Sequence, residues 1–144
     1  MQESLIKYRA FLKTVWLLSH QEWGAVPPVL STHMCRYTCL FLQKRLRQDH
    51  GLAAKIVTGR PAEDSNGTSQ GKFGFQDRQG NWHDHSWLVI DDQIIDLTAD
   101  QFEEDEIIVT SVSDKRYRPS LDQQAFVKSF ERLNRRTQKW LHVV

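Results

Sequence analysis

The chain has 144 residues, of which 40% are hydrophobic and 26% are charged, and its formal net charge is +1 at pH 7. This length and composition predict one globular domain over residues 1–144 with a substantial core. The near-zero charge argues against nucleic acid as a partner, and no apolar run approaches the roughly 20 residues that span a bilayer, which argues against a membrane partner.

The cellular compartment is predicted from the cysteines and the N-terminal residues. Cys35 and Cys39 are the two cysteines of the chain, and a disulfide between residues four apart on one helix has poor geometry. A reducing compartment is therefore favoured. The apolar stretch 5–18 is interrupted by basic residues, unlike a signal peptide. We expect a cytoplasmic protein; delivery to another cell as an effector and the oligomeric state stay open.

The N-terminal third predicts two helices. From residue 5 to about residue 23, apolar residues recur at three- and four-residue spacing, as in an amphipathic helix. Ser31 and Thr32 are N-cap candidates for a second helix. This helix is apolar around most of its circumference up to Leu42, so we expect it to be central and buried. Gly51 is a natural residue to end it.

The remaining segments predict strands and a last helix. Short apolar runs bounded by turn residues predict strands, at residues 53–58, 72–76, 81–90, 93–98 and 107–112. The polar segment 62–71 predicts a surface loop, and residues 99–102 a helical turn. Ser120 and Gln123 are spaced like a capping box that opens the last helix. Helices packed on a mainly antiparallel sheet are the α+β class.

A hairpin with unusual polar residues occupies residues 83–98. If Asp91 and Asp92 form a two-residue turn, Ile90 lies opposite Gln93. The alternation of side chains then places His85 and Asp96 on one face, as diagonal neighbours about 7–8 Å apart at the backbone. A histidine with a carboxylate behind it is half of a nucleophilic site. A three-residue turn would place Asp96 on the opposite face.

Cys35 is the candidate nucleophile. With Thr32 as N-cap, Cys35 lies in the first turn of the second helix, where free backbone N–H groups and the helix dipole favour a thiolate. The same N–H groups are candidate donors to an oxyanion. Cys39 lies one turn deeper among large apolar residues, and we expect it to be a small buried core residue.

Three motifs follow one another in the stretch from residue 31 to residue 102. Cys35 opens the predicted buried helix, and residues 51–59 read Gly-Leu-Ala-Ala-Lys-Ile-Val-Thr-Gly. Residues 85–90 read His-Ser-Trp-Leu-Val-Ile, and residues 94–98 read Ile-Ile-Asp-Leu-Thr. Together they resemble the transglutaminase-like branch of the papain-like cysteine protease superfamily, in the version of its small bacterial members. That branch has a Gly-apolar-x-Ala-Arg strand, a His-Ala-Trp-Val strand and an Asp-Pro-Thr strand.

The resemblance implies a papain-like fold and a thiol mechanism. Cys35 would be the nucleophile, His85 the general base and acid, and Asp96 the residue that fixes the imidazole. The implied reaction is attack on an amide or ester carbonyl, with a thioester acyl-enzyme that water or an amine resolves. We favour a deamidase or protease acting on a protein or peptide, and we expect no cofactor and no metal.

The chain departs from the family pattern at two points. Arg36 follows the cysteine where many members have a small residue. The usual upstream side-chain oxyanion donor has no clear counterpart, so the candidates for oxyanion or substrate contacts are Gln21, Trp23 and Trp87. Trp87 is also a candidate to shield the pair formed by His85 and Asp96 from water.

Two other interpretations compete with the enzyme. His83 and His85 share a strand face, and Cys35 and Cys39 share a helix face, so a tetrahedral zinc site of Cys and His ligands is conceivable. The spacings lack the Cys-x-x-Cys and His-Glu-x-x-His patterns of common zinc sites. The second alternative is a catalytically inactive binding module that keeps the fold.

Overall fold

The computed structural model describes residues 1–64 and 70–143, with the side-chain environments of residues 63, 64, 136 and 140–143 left out. Residues 65–69 of the predicted polar loop 62–71 therefore lie outside the described residues. Within the described part, no helix is long and apolar enough to cross a membrane.

The described residues form three α-helices and seven β-strands, which confirms the α+β class. The helices are α1 Gln2–Glu22, α2 Cys35–His50 and α3 Val127–Val143. The strands are β1 Lys55–Gly59, β2 Gly74–Gln76, β3 Trp82–His83, β4 His85–Ile90, β5 Gln93–Asp96, β6 Ile108–Ser111 and β7 Tyr117–Arg118. Short 3-10 helices occur at Pro61–Asp64, Ala99–Phe102 and Gln123–Phe126.

The strands form two antiparallel sheets, with orders β1-β4-β5-β6 and β3-β2-β7. The strand predicted to begin at residue 81 is interrupted at Asp84, where the chain passes from β3 in the second sheet to β4 in the first. The two sheets approach closely beside this point. A Cβ atom on Gly59 would lie 2.3 Å from the backbone nitrogen of Gly74, so the approach requires glycine.

Two apolar clusters cover the two faces of the larger sheet. On one face, Leu88 and Ile95 pack against helices α1 and α2. On the other face, Trp87 packs with Phe75 and Tyr117 of the smaller sheet. The prediction that α2 is central and buried is confirmed by its buried side chains, which are Thr38, Cys39, Leu40, Phe41, Leu42 and Leu46.

The two ends of α2 differ in how well the sequence predicts them. Gly51 ends the helix in the left-handed region (φ +65°), and the Leu52 N–H donates to the Leu46 carbonyl, as in a Schellman motif. Thr32 was expected to be the N-cap, which is wrong. Met34 holds that position, and the Thr32 hydroxyl donates to the Val29 carbonyl at 2.6 Å.

The predicted capping box at the last helix is also wrong. Asp122 caps the 3-10 helix that precedes α3, and its carboxylate accepts from the Gln124 N–H at 3.1 Å. The Ser120 hydroxyl instead accepts from the Arg60 N–H at 2.9 Å. Both predicted caps fail because their side chains have other hydrogen-bond partners in the folded chain.

Candidate active site

The two-residue turn at Asp91 and Asp92 is confirmed, because Ile90 pairs with Gln93 and Val89 with Ile94. The alternation of side chains therefore places His85 and Asp96 on one face of the sheet. Their side chains meet there: His85 Nε2 lies 2.7 Å from Asp96 Oδ2. Both side chains are buried, with exposed fractions of 0% and 1%.

Three neighbouring residues form hydrogen bonds with the Asp96 carboxylate. Besides His85, the Thr98 N–H donates to Oδ1 at 3.0 Å, and the Tyr117 hydroxyl donates to Oδ2 at 2.9 Å. Burial alone would raise the pKa of Asp96, but these donors and the charge of His85 hold its pKa below the usual value of 3.8. Asp96 is therefore a carboxylate, although water does not reach it.

The environment of His85 favours its protonated form. Burial opposes the positive charge, but the neighbouring Asp96 carboxylate outweighs it, and the Cys35 thiol adds to the effect, which raises the pKa of His85 from 6.5 to about 10. The ring nitrogen Nε2 is hydrogen-bonded to Asp96. The other ring nitrogen, Nδ1, is buried and makes no hydrogen bond of ordinary geometry to any described residue. The ring is thus oriented by Asp96 with one nitrogen left for a second partner.

Cys35 is the first residue of α2 and is partly exposed. The first N–H groups of a helix have no partner within it and point toward this end. Cys35 lines a cavity of about 310 Å³, together with His33, Arg36, Tyr37, Asp84, Gln101, Ser129 and Leu133. Cys39 is buried, and its burial raises the pKa of its thiol. Of the two cysteines, Cys35 is the one with access to a reactant.

The segment before Cys35 is fixed by residues that follow the hairpin. Asp100 accepts from the Ser31 hydroxyl and from Arg9 Nη2, the latter at 2.7 Å. The His33 N–H donates to Gln101 Oε1 at 3.3 Å, and His33 adopts a positive φ of 63°. The residues that follow the hairpin of His85 and Asp96 therefore fix the segment that leads to Cys35.

The neighbours of Cys35 and His85 are joined by an ion-pair bridge. Arg36 Nη2 lies 3.1 Å from Asp84 Oδ1, and Arg60 Nε lies 3.1 Å from Asp84 Oδ2. The bridge connects the start of α2 to the start of β4. Arg36, which departs from the family pattern, thus has a specific partner in this chain.

The three candidates for oxyanion or substrate contacts take different positions. Gln21 is exposed on α1 and is not among the residues around the Cys35 cavity. Trp23 is 43% exposed, and its ring centroid lies 5.9 Å from that of Tyr37, which lines the cavity. Trp87 is 2% exposed, with its ring 6.1 Å from the His85 ring. A substrate contact does not fit this burial, whereas shielding of His85 from water does.

The alternative of a zinc site finds no support in the described part of the chain. There, no group of three or more His, Cys, Asp or Glu side chains is placed to share a metal ion. His83 Nε2 lies 2.8 Å from Asp77 Oδ2, and the His83 ring stacks on Phe102. His83 is therefore engaged outside the Cys35 cavity.

Tyr117 is a site residue that the sequence did not predict. It lies between the last predicted strand and the last predicted helix, where the structure forms β7, and its hydroxyl reaches Asp96. An aromatic residue between two arginines gives no signal of such a contact, because the contact depends on the pairing of β2 with β7.

Removing the Tyr117 hydroxyl is expected to weaken the support of Asp96. We expect Tyr117→Phe to lower the free energy of unfolding by about 1.5–3 kcal/mol, since the lost hydrogen bond is to a buried carboxylate. Urea unfolding measures this change. Loss of less than about 0.5 kcal/mol would show that the hydroxyl does not support the carboxylate.

Function has to be inferred from the residues of this site. No protein-family model matches the chain, and neither does a curated protein or a solved structure.

Proposed function

We propose that the protein is a thiol-dependent hydrolase or acyl transferase that acts on an amide of a protein or peptide. Cys35 is the nucleophile, His85 the general base and acid, and Asp96 the positioning carboxylate. One observation carries the proposal: Asp96 bonds to one nitrogen of the buried His85 ring, and the Cys35 thiol lies close enough to affect the charge of this ring. The other ring nitrogen has no hydrogen-bond partner among the described residues.

The reaction follows from these positions. The Cys35 sulfur, as thiolate, attacks the carbonyl carbon, and N–H groups at the start of α2 donate to the oxygen that becomes negative. His85 gives its Nδ1 proton to the leaving amine or ammonia as the C–N bond breaks, which leaves a thioester. Water then attacks the thioester, His85 takes the proton of the water, and the C–S bond breaks to release the acid.

We further propose that the fold is a papain-like core of the transglutaminase-like kind. Support comes from a cysteine at the start of a buried helix, with His and Asp on two neighbouring strands of the sheet on which that helix packs. Water has access to the partly exposed Cys35, so hydrolysis, by a deamidase or protease, is favoured over transfer to an amine. An inactive binding module with the same core is the alternative.

Acetyl transfer from p-nitrophenyl acetate tests the chemistry without knowledge of the natural substrate. We expect peptide mapping to find the acetyl group on Cys35, with release of acetate on further incubation. His85→Gln should slow acylation by about 100-fold or more, because the imidazolium that pairs with the attacking thiolate is lost. Cys39→Ala is the matched control and should be acylated like the unchanged protein. Acetylation of surface lysines alone, with Cys35 unmodified, would contradict the proposal and favour the inactive module.

A further inference from the structure

A second feature, away from the thiol, is the outer edge of β1. This strand lies at one end of the larger sheet and pairs on one side with β4. In an antiparallel pair, alternate residues turn their N–H and C=O groups away from the partner strand. Thr58 is one of these, because its N–H donates to Gln123 Oε1 at 3.0 Å, and its C=O accepts from Gln123 Nε2 at 2.9 Å and from the Ser120 N–H at 3.1 Å.

On either side of Ile56, the backbone groups along this edge form hydrogen bonds with other parts of the chain. Gln43 Nε2 donates to the Ala54 carbonyl at 2.8 Å, and the Arg60 N–H donates to the Ser120 hydroxyl. Ile56 lies between them, two residues from Thr58, so its N–H and C=O groups also point outward. Among the described residues, no side chain or backbone group bonds to them. An unpaired edge residue of this kind can exchange hydrogen bonds with one residue of another chain.

Ile56 faces a cavity large enough for a side chain. The cavity has a volume of about 550 Å³ and lies between β1 and helices α2 and α3. Its apolar wall is formed by Leu40, Phe126 and Phe130. A residue that pairs with Ile56 points its side chain to the same face of the sheet as Ile56, and Ile56 packs with the cluster on the α2 side. The side chain of such a residue therefore enters the cavity.

The rim of the cavity has an excess of positive charge. Lys44, Lys55 and Glu131 line it, and none of the three forms an ion pair within the described residues. Lys44 is partly buried, which lowers its pKa. A carboxylate on a bound chain would offset both the burial and the charge excess.

We propose that the edge of β1 at Ile56 binds an extended segment of a partner protein by strand addition. A large apolar residue of the segment exchanges both backbone hydrogen bonds with Ile56 and places its side chain against Leu40 and Phe130. A neighbouring acidic residue, whose side chain points to the opposite face of the sheet, faces Lys55. This is the strand-addition mode of peptide recognition, and it is independent of the chemistry at Cys35.

The probe is the blocked peptide acetyl-Thr-Thr-Phe-Glu-Thr-amide, titrated into the full chain and followed by NMR. We expect saturable shifts at Ile56, Leu40 and Phe130. The same peptide N-methylated at Phe keeps the side chain but loses the donor to the Ile56 carbonyl, so it should bind about tenfold more weakly. Replacing Glu by Lys in the peptide should weaken binding further at low salt.

Two matched variants locate the site. Val127→Trp fills the cavity from a half-exposed position on its wall, and it should weaken binding by about tenfold or more. Leu121→Trp changes an exposed residue (89%) that does not line the cavity, and it should bind like the unchanged protein. The proposal is overturned if no shift saturates, if the N-methylated peptide binds equally, or if both variants bind alike. Concentration-dependent shifts of the same residues without peptide would assign the edge to a second copy and would also overturn it.

Discussion

Asp96→Asn is expected to lower the free energy of unfolding by about 3–5 kcal/mol at pH 6, because it leaves a buried His85 without its counter-charge. The pair is fully buried, so solvent does not screen the loss. With the amide oxygen at the position of Oδ1, the Thr98 N–H would still donate to it, which keeps the loop in place, whereas Tyr117 and His85 would face the amide NH2 group at the position of Oδ2. Urea unfolding at several pH values measures the effect.

The pH dependence of this prediction has a definite sign. The pKa of His85 is raised from 6.5 to about 10, so its contribution to stability is complete below pH 6.5 and is lost as the pH rises toward 10. The pKa of Asp96 is lowered below 3.8, so its contribution is complete above pH 3.8 and is lost as the pH falls through the lowered pKa. The stability difference between the unchanged protein and Asp96→Asn should be largest between about pH 4 and 6.5.

Asp84→Asn is the matched control for this experiment. Asp84 precedes His85 and forms ion pairs with two arginines, but its side chain is 45% exposed. We therefore expect a loss of about 1 kcal/mol or less. A stability difference for Asp96→Asn that is equally small, or that grows toward pH 10, would contradict a buried ion pair.

The parts of the site that the sequence predicts are those set by local chemistry. The two-residue turn and the alternation of side chains are sufficient to bring His85 and Asp96 to one face. Gly51 ends α2 because the left-handed conformation there favours glycine. Each of these features depends on residues close together in the chain.

The parts that the sequence does not predict depend on distant partners. Tyr117 reaches Asp96 across 21 residues, and Asp100 holds Ser31 across 69. The hydroxyl of Ser120 resembles a helix cap in sequence, but it accepts from the N–H of Arg60, 60 residues away. A pattern of residue types indicates which groups seek hydrogen bonds, whereas the packing of the sheets and helices decides which partner each finds.

The reactivity of the two cysteines is the second large expected effect. The thiolate is the form that reacts with iodoacetamide. Cys35 is partly exposed beside His85, whereas Cys39 is buried and its pKa is raised. We expect Cys35 to be alkylated about 100-fold or more faster than Cys39 near pH 6.

His85→Gln separates the influence of the imidazole from simple exposure. In this variant the protonated partner is absent, so alkylation of Cys35 near pH 6 should slow by about tenfold or more. Continued protection of Cys39 would report that the variant is folded. In urea, where both thiols are exposed, the two cysteines should react at similar rates.

The most direct test of a thiol site at Cys35 is therefore the ratio of the two alkylation rates near pH 6, read by peptide mass spectrometry on the folded protein. A site formed by Cys35, His85 and Asp96 predicts fast, selective alkylation of Cys35 that depends on His85. Equal and slow alkylation of Cys35 and Cys39, unchanged in His85→Gln, would contradict it.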